Sequence, residues 1–322
     1  MKPAKANLEV FAETLLELAR RDRDILVLTT DSTGSGKLTR FGELLPEQLI
    51  EVGIAEQNLV GIAAGLASAG KKVFAVSPAC FLTARALEQI KNDVAYSNQP
   101  VKLVGISAGV SYGALGSTHH SLHDIAALRA IHNIDIIVPA DNFETRQSIL
   151  ASVNRARPTY LRFGKRPMHN LHRAGTVFEI GKAIPVFSGA DVTFVATREA
   201  VYPACLAHEE LEKEGVQSGV ISMHTVKPLD TVTLFEFARR SKALITVEEH
   251  SVHGGLGEAC AAALMDAGIT PPLHIVGIRD EYTVTGSQLE IFDHYGISGP
   301  ALAATARQLM NDKRLPCPTY LR

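Results

Sequence analysis

The sequence predicts an α/β protein of two doubly wound domains, the first built on a mostly parallel six-stranded sheet and the second smaller. Three observations carry that expectation. Short, near-continuous runs of Val, Ile and Leu alternate with stretches of helical periodicity, the pattern of strands covered by helices on both faces. The alternation loosens once, between Gly164 and Ala190, and then restarts. The chain's 322 residues also exceed what one hydrophobic core usually organises.

Strands are expected at Ile25–Thr30, Leu49–Val52, Val73–Ser77, Val101–Ser107, Ile134–Val138 and Thr159–Phe163, each short and apolar. Between them, helical spacing covers Asn7–Arg20, Glu56–Ala69, Thr83–Asn98, Asp124–Ile131 and Asn142–Asn154. Arg166-Pro167, Ala174-Gly175 and Ser188-Gly189 mark the intervening stretch as a linker. Beyond it, strands are expected at Val192–Ala196, Gly219–Met223, Ala243–Val247 and Leu273–Gly277.

A net charge of -2 gives no broad basic surface for nucleic acid or an anionic membrane. No apolar run is long enough for a membrane span, and the first twenty residues lack the apolar core of a signal peptide. Cys80, Cys205, Cys260 and Cys317 are far apart and form no CxxC pair, which argues against a zinc ribbon or disulfide framework and fits a reducing cytoplasm.

Polar residues gather where strands end, the edge at which open α/β sheets bind ligands. Glu56, in Gly53-Ile54-Ala55-Glu56-Gln57-Asn58, opens a Gly- and Ala-rich helix that another backbone or a ligand could approach closely. By position alone it reads equally as a solvated acid favoured by the helix dipole. Asp31-Ser32-Thr33-Gly34-Ser35-Gly36 is either a capped turn or a ligand loop, with glycine spacing that fits neither a P-loop nor a dinucleotide fingerprint. Phe81, after the third strand, is a core residue or a flat platform; Arg85 on the same helix pairs with Glu88 or points into a site. In Gly116-Ser117-Thr118-His119-His120-Ser121-Leu122-His123-Asp124, His120, His123 and Asp124 raise a zinc hypothesis, against solvated histidines at a helix start. Arg162 ends the sixth strand, a common place for a surface ion pair. Gly254-Gly255-Leu256-Gly257 lacks dinucleotide spacing, and Glu248, His250 and His253 read as folding or subunit contacts.

Taken in order, these segments resemble the transketolase family, with its relatives the deoxyxylulose-phosphate synthases and 2-oxoacid dehydrogenase β subunits. The resemblance runs along nearly the whole chain. It implies a pyrimidine-binding domain over 1–175, a C-terminal domain over 185–322, and dependence on thiamine diphosphate. It further implies that Glu56 bonds the aminopyrimidine and so promotes loss of the thiazolium C2 proton, a task for a carboxyl in a dry site. Phe81 would stack on that ring, with Asp31 and Arg85 lining the cofactor region. His119, matching the family's Gly-x-Thr-His-Gln, would lie beside the reacting carbon, where an imidazole handles protons near neutral pH. Ser35 and Arg162 would grip a phosphate or sulfonate, with Lys165 and Arg166 adding charge. Leu115 stands where the family usually has Asp, and Ser107 where it has His, which implies an altered or narrower sugar.

No Gly-Asp-Gly occurs in the chain, although this class binds the cofactor's diphosphate through a divalent cation held by such a loop. The resemblance therefore implies a separate N-terminal subunit that holds Mg2+ or Ca2+ and the diphosphate, in an α2β2 assembly. No metal site is expected in this chain. The implied activity is transfer of a two-carbon ketol unit from a ketose to an aldose. A 2-oxoacid dehydrogenase β-type subunit and a non-catalytic assembly subunit are the alternatives; retention of Glu56 argues against the second.

Overall fold

Residues 3–311 are described by a computed structural model; Cys317 lies outside them. Strand β1 (Pro3–Ala6) runs into α1 (Asn7–Ala19). In α1, Leu8, Phe11, Ala12, Leu15, Leu16 and Ala19 recur at helical spacing and form the buried face. There follow β2 (Ile25–Thr29), α2 (Thr39–Leu44), β3 (Leu49–Glu51), α3 (Glu56–Ser68) and β4 (Lys72–Pro78). Next come α4 (Ala79–Arg85) and α5 (Leu87–Gln89), which continues as a π-helical turn over Ile90–Tyr96, then β5 (Lys102–Ile106). The series closes with α6 (Asp124–Ala130), β6 (Asp135–Ile137), α7 (Asn142–Ser152) and β7 (Thr159–Arg162). All six strands expected in this half form, each within one residue of its predicted ends.

The helix expected at Thr83–Asn98 begins earlier and is interrupted. Ala86, at φ −103° and ψ 20°, ends α4 with Arg85 in its last turn. The π turn that follows is a local widening of the helix, of a kind common near functional sites.

The second half begins with β8 (Pro167–His169), paired antiparallel to β1, and β9 (Ile184–Phe187), so the expected linker carries two short strands. Then come β10 (Val192–Ala196), α8 (Val201–Glu212), β11 (Ser218–Ser222), β12 (Thr225–Lys227), α9 (Thr231–Arg240) and β13 (Ala243–Ser251). The described chain ends through α10 (Leu256–Asp266), β14 (Leu273–Ile278), α11 (Gln288–His294) and α12 (Gly299–Asn311).

Two main sheets result. The first has seven strands rather than six, in the order β12-β6-β7-β5-β4-β2-β3. Its six sequential strands are parallel, and the extra strand, β12, comes from the second half and pairs antiparallel with β6. The second sheet runs β14-β13-β10-β11-β9, with only β9 antiparallel. Both sheets bury apolar side chains on both faces, which explains their near-continuous hydrophobic strands.

A further polar seam joins the halves. Glu144 on α7 is buried and accepts from Ala140 N–H (2.6 Å), His172 Nε2 (2.7 Å) and Ser222 Oγ (2.6 Å). Among the described residues, no helix is long and apolar enough to cross a membrane.

Candidate active site

The parallel order β7-β5-β4-β2-β3 brings five strand ends into one row. Each carboxyl end delivers a loop or helix start to the same edge. Glu56 is the first residue of α3 and is buried, at 4% exposure. Arg85, from the last turn of α4, places Nη1 3.1 Å from both Glu56 carboxylate oxygens. The same guanidinium lies over the Phe81 ring, 4.3 Å from its centroid. Arg85 thus points into the site rather than pairing with Glu88.

Phe81 in turn meets the His119 ring edge-on at 5.3 Å between centroids. Tyr112 packs on His119 in the same way, also at 5.3 Å, and Lys165 Nζ sits 4.5 Å from the Tyr112 ring centroid. Glu56, Arg85, Phe81, His119, Tyr112 and Lys165 therefore form one continuous line of contacts. The sequence pointed to the first four; Tyr112 was missed, and Lys165 was noted only for its charge. An aromatic within a Gly-rich polar loop after a buried strand was the available signal for Tyr112.

The loop after β5 shapes the middle of this line. Ser107 leaves the strand at φ +54°, a left-handed conformation uncommon for a non-glycine residue, and its buried Oγ has no hydrogen-bond partner. Strain of this kind clusters at functional sites. Ser121 N–H donates to Gly109 C=O at 2.8 Å and closes the base of the loop. Thr118 Oγ1 lies 2.9 Å from His119 Nδ1 and orients the ring. Leu115 is 56% exposed.

Asp31 and Ser35 are on the exposed loop after β2. Asp31 is also left-handed, at φ +50°, and its N–H donates to Glu51 Oε1 at 2.6 Å. The same oxygen accepts from Gly53 N–H at 2.9 Å, so Glu51, another residue missed in the sequence, ties this loop to the turn before Glu56. Ser35 Oγ donates to Ser32 C=O at 3.2 Å.

Arg162 departs from expectation. It is 1% exposed and commits its guanidinium inward: Nε donates to Asp124 Oδ2 at 2.7 Å, and Nη2 to the carbonyls of Ser121 and Glu249 at 3.0 Å each. Two strands separate β7 from β2, so Arg162 and Ser35 form no anion clamp. Lys165, after the same strand, is exposed.

Two of the three suggested zinc ligands are likewise engaged elsewhere. Asp124 accepts from Tyr160 Oη and Arg162, His120 Nε2 donates to Gly113 C=O at 2.9 Å, and His123 precedes α6. Burial works to raise the Asp124 carboxyl, but Arg162 with His250 and Tyr160 holds it down at about 2. Among the described residues, no group of three His, Cys, Asp or Glu is arranged to hold a metal ion.

Behind the β5 loop stands a buried polar cluster from the second half. Glu249, on β13, accepts from Val110 N–H (2.8 Å) and Gln288 Nε2 (2.7 Å), and it pairs with Arg198 Nη1. Arg198 Nη2 reaches Ser111 Oγ at 2.8 Å and Glu199 Oε1 at 2.9 Å. Burial pushes Glu249 up to about 7 against the pull of Arg198, and Glu199 adds to that rise. Neighbouring Glu248, also pushed up to about 7 by burial, accepts from Leu256 and Gly257 N–H at the start of α10.

Residues 4–169 match the family described as transketolase, pyrimidine binding domain, and residues 181–302 that described as transketolase, C-terminal domain. The chain is 45% identical over 301 residues to one of the subunits of the apulose-4-phosphate transketolase of Phocaeicola vulgatus, covering 93% of this chain and 96% of that one. It is 37% identical over 296 residues to a putative transketolase C-terminal section of Methanocaldococcus jannaschii, covering 91% and 92%. Among solved structures, a split gene transketolase described as an inactive β4 tetramer superposes with a TM-score of 0.87 at 33% identity, covering 97% of this chain and all of that one.

Proposed function

The chain belongs to the transketolase family, and from that premise we propose that it is the C-terminal subunit of a two-chain, thiamine diphosphate-dependent transketolase. The carrying observation is the line from Glu56 through Phe81 to His119. Arg85 lies over the Phe81 ring while it contacts the Glu56 carboxylate, so a flat group over that ring is within reach of the same carboxyl. An aminopyrimidine is flat, and its ring nitrogen accepts a proton from the Glu56 carboxyl. When bound, thiamine diphosphate supplies a carbanion equivalent at C2 and an electron sink for ketol transfer.

In this reading Glu56 holds a proton at the pyrimidine ring nitrogen, from a site dry enough to make that bond strong. Phe81 supplies the stacking face. His119 presents its free ring nitrogen to the oxygens of the ketose, its orientation fixed by Thr118, Phe81 and Tyr112. Lys165 binds the anionic end of the sugar, Ser35 contacts the substrate separately from the loop after β2, and Asp31 borders the cofactor. Arg162 serves the scaffold instead. We divide the chain into a pyrimidine-binding domain over 1–175 and a C-terminal domain over 185–322, and we place the enzyme in the cytoplasm.

The diphosphate and its Mg2+ or Ca2+ fall to an N-terminal partner subunit in an α2β2 enzyme. Gly61 and Gly65 on α3 face open space, and Ile54 and Tyr96 are more than 70% exposed, features suited to a partner's surface. The split-gene relative described as inactive contains β chains only, in keeping with this division. For the donor we favour apulose 4-phosphate, the sugar phosphate in the name of the relative from P. vulgatus. Leu115 offers the sugar an apolar side chain where an acid is usual, and Ser107 a short hydroxyl where an imidazole is usual. A donor screen of the reconstituted pair, with phosphate and sulfonate ketoses as separate arms, tests this choice. Decarboxylation of a 2-oxo acid without ketose cleavage would instead return the enzyme to the dehydrogenase class.

A further inference from the structure

We propose that Glu249 and Arg198, from the second half of the chain, are positioning residues that clamp the loop presenting Tyr112 and His119. The proposal rests on the reading of His119 as a substrate contact, and it assigns the second half a part in the active site. Both ends of the loop are held from this side. At its start, Val110 N–H donates to Glu249 Oε1 at 2.8 Å, and Arg198 donates to Ala108 C=O (3.2 Å) and Ser111 Oγ (2.8 Å). At its end, Ser251 N–H donates to Leu122 C=O at 3.0 Å. The Gly109–Ser121 bridge ties these two ends together, so a displacement of one moves the other.

The surrounding backbone is shaped to admit the pair. Gly109 is left-handed at φ +64°, and a Cβ there would run into the Glu249 carboxylate. A Cβ on Gly164 would meet Arg198 and Glu199. Arg198 itself adopts φ +50° to reach the loop. Gln288 donates to both Glu199 and Glu249 and locks the carboxylates together. Farther along, a Cβ on Gly113 would come within 2.6 Å of the Gly286 carbonyl, so the loop also rests on the segment before α11. None of these groups hydrogen-bonds to Glu56, whose side chain is met by Arg85 of α4. The clamp therefore acts on the substrate side of the site and leaves the cofactor-activating side untouched.

The test uses the chain reconstituted with its N-terminal partner and compares Glu249→Gln with the milder Ser111→Ala. Hydrogen exchange over residues 108–121 is expected to quicken about tenfold or more in Glu249→Gln and less in Ser111→Ala, while exchange over 56–68 stays unchanged. The kcat/KM for ketol transfer should fall about ten- to a hundredfold, and the C2 proton-exchange rate of bound thiamine diphosphate should stay within about twofold of wild type. Loop exchange unchanged in both variants would overturn the clamp. So would a parallel loss of C2 exchange and of protection throughout the chain, which marks a general fold defect. His119→Ala serves as the control for the functional reading. If it transfers ketol units as fast as wild type, that reading fails, while the hydrogen-exchange arm still decides the clamp.

Discussion

Glu56 depends on its neighbours more than on its own position. At a helix N-terminus a carboxylate is ordinarily solvated, but here Arg85 and Phe81 cover it and water is largely excluded. Glu56→Gln keeps the shape and removes the capacity to share a proton, so turnover of the reconstituted enzyme should drop by about 10²- to 10⁴-fold. C2 exchange of the bound cofactor should drop with it, and the subunits should still co-elute on size exclusion. Normal turnover in a co-eluting variant would exclude the assigned role. The place of Glu56 at the start of α3 was legible because its signal is local. Arg162 was misread for the opposite reason: nothing in Tyr160-Leu161-Arg162-Phe163 says that Asp124 will bury and saturate the guanidinium.

Among the elements, the buried parallel strands were the most legible, because apolar residues on both faces leave little ambiguity about where a strand runs. Several features escaped, three of them instructive. The short β12 has no periodicity of its own and exists by pairing with β6. The polar end of β13, Glu248-Glu249-His250, lies beyond the predicted strand, yet it is buried: Val110 and Ala126 of the first half donate to Glu249 and His250, and Leu256 of α10 donates to Glu248. The break in the α4–α5 segment follows no proline or glycine. The helix start at α7 gives an element-scale prediction. Asp141 caps it by accepting Glu144 N–H at 2.8 Å, while its other oxygen accepts the buried Leu171 N–H at 3.0 Å. Asp141→Ala loses a cap worth about 1 kcal/mol and orphans a donor at about 1–3 kcal/mol more. A urea titration should show a loss of about 2–4 kcal/mol; a change below about 0.5 kcal/mol would mean that the cap and the tether carry no weight.

Across the whole molecule, the junction between halves sets part of the acid response. His250 is fully buried and neutral: Nδ1–H donates to Ser251 C=O, and Nε2 accepts from Ala126 N–H. Burial lowers its pKa to about 4, outweighing the Asp124 carboxylate, while Arg162 and His123 push the same way as burial. The unfolded chain therefore takes up a proton at this residue, as pH falls through about 6.5, that the native chain refuses until about 4. Stability on the order of 3 kcal/mol should be lost across that window, and the loss should be absent in His250→Gln. Glu248 and Glu249 act oppositely, their contribution fading as pH rises from about 4.5 to about 7. The difference between wild-type and variant denaturation midpoints, taken at pH 4.5 and 6.5, isolates the histidine. For the proposed two-chain enzyme, ketol transfer should be undetectable with this subunit and cofactor alone and should appear on addition of the N-terminal subunit. Full turnover by the isolated chain would refute the shared site.

The seventh strand of the first sheet bears on how the chain can be cut. Residues 225–227 are threaded back to cover the edge of β6, so a fragment ending near residue 175 would keep every catalytic candidate yet expose Asp135–Ile137 as a bare edge. Such an edge is a template for pairing between molecules. The fragment should aggregate where the whole chain does not, and calorimetry of the intact protein should trace one cooperative endotherm instead of two. Covalent continuity here does more than tether a cofactor half to an accessory half: it keeps the first sheet from seeking its missing neighbour in another molecule.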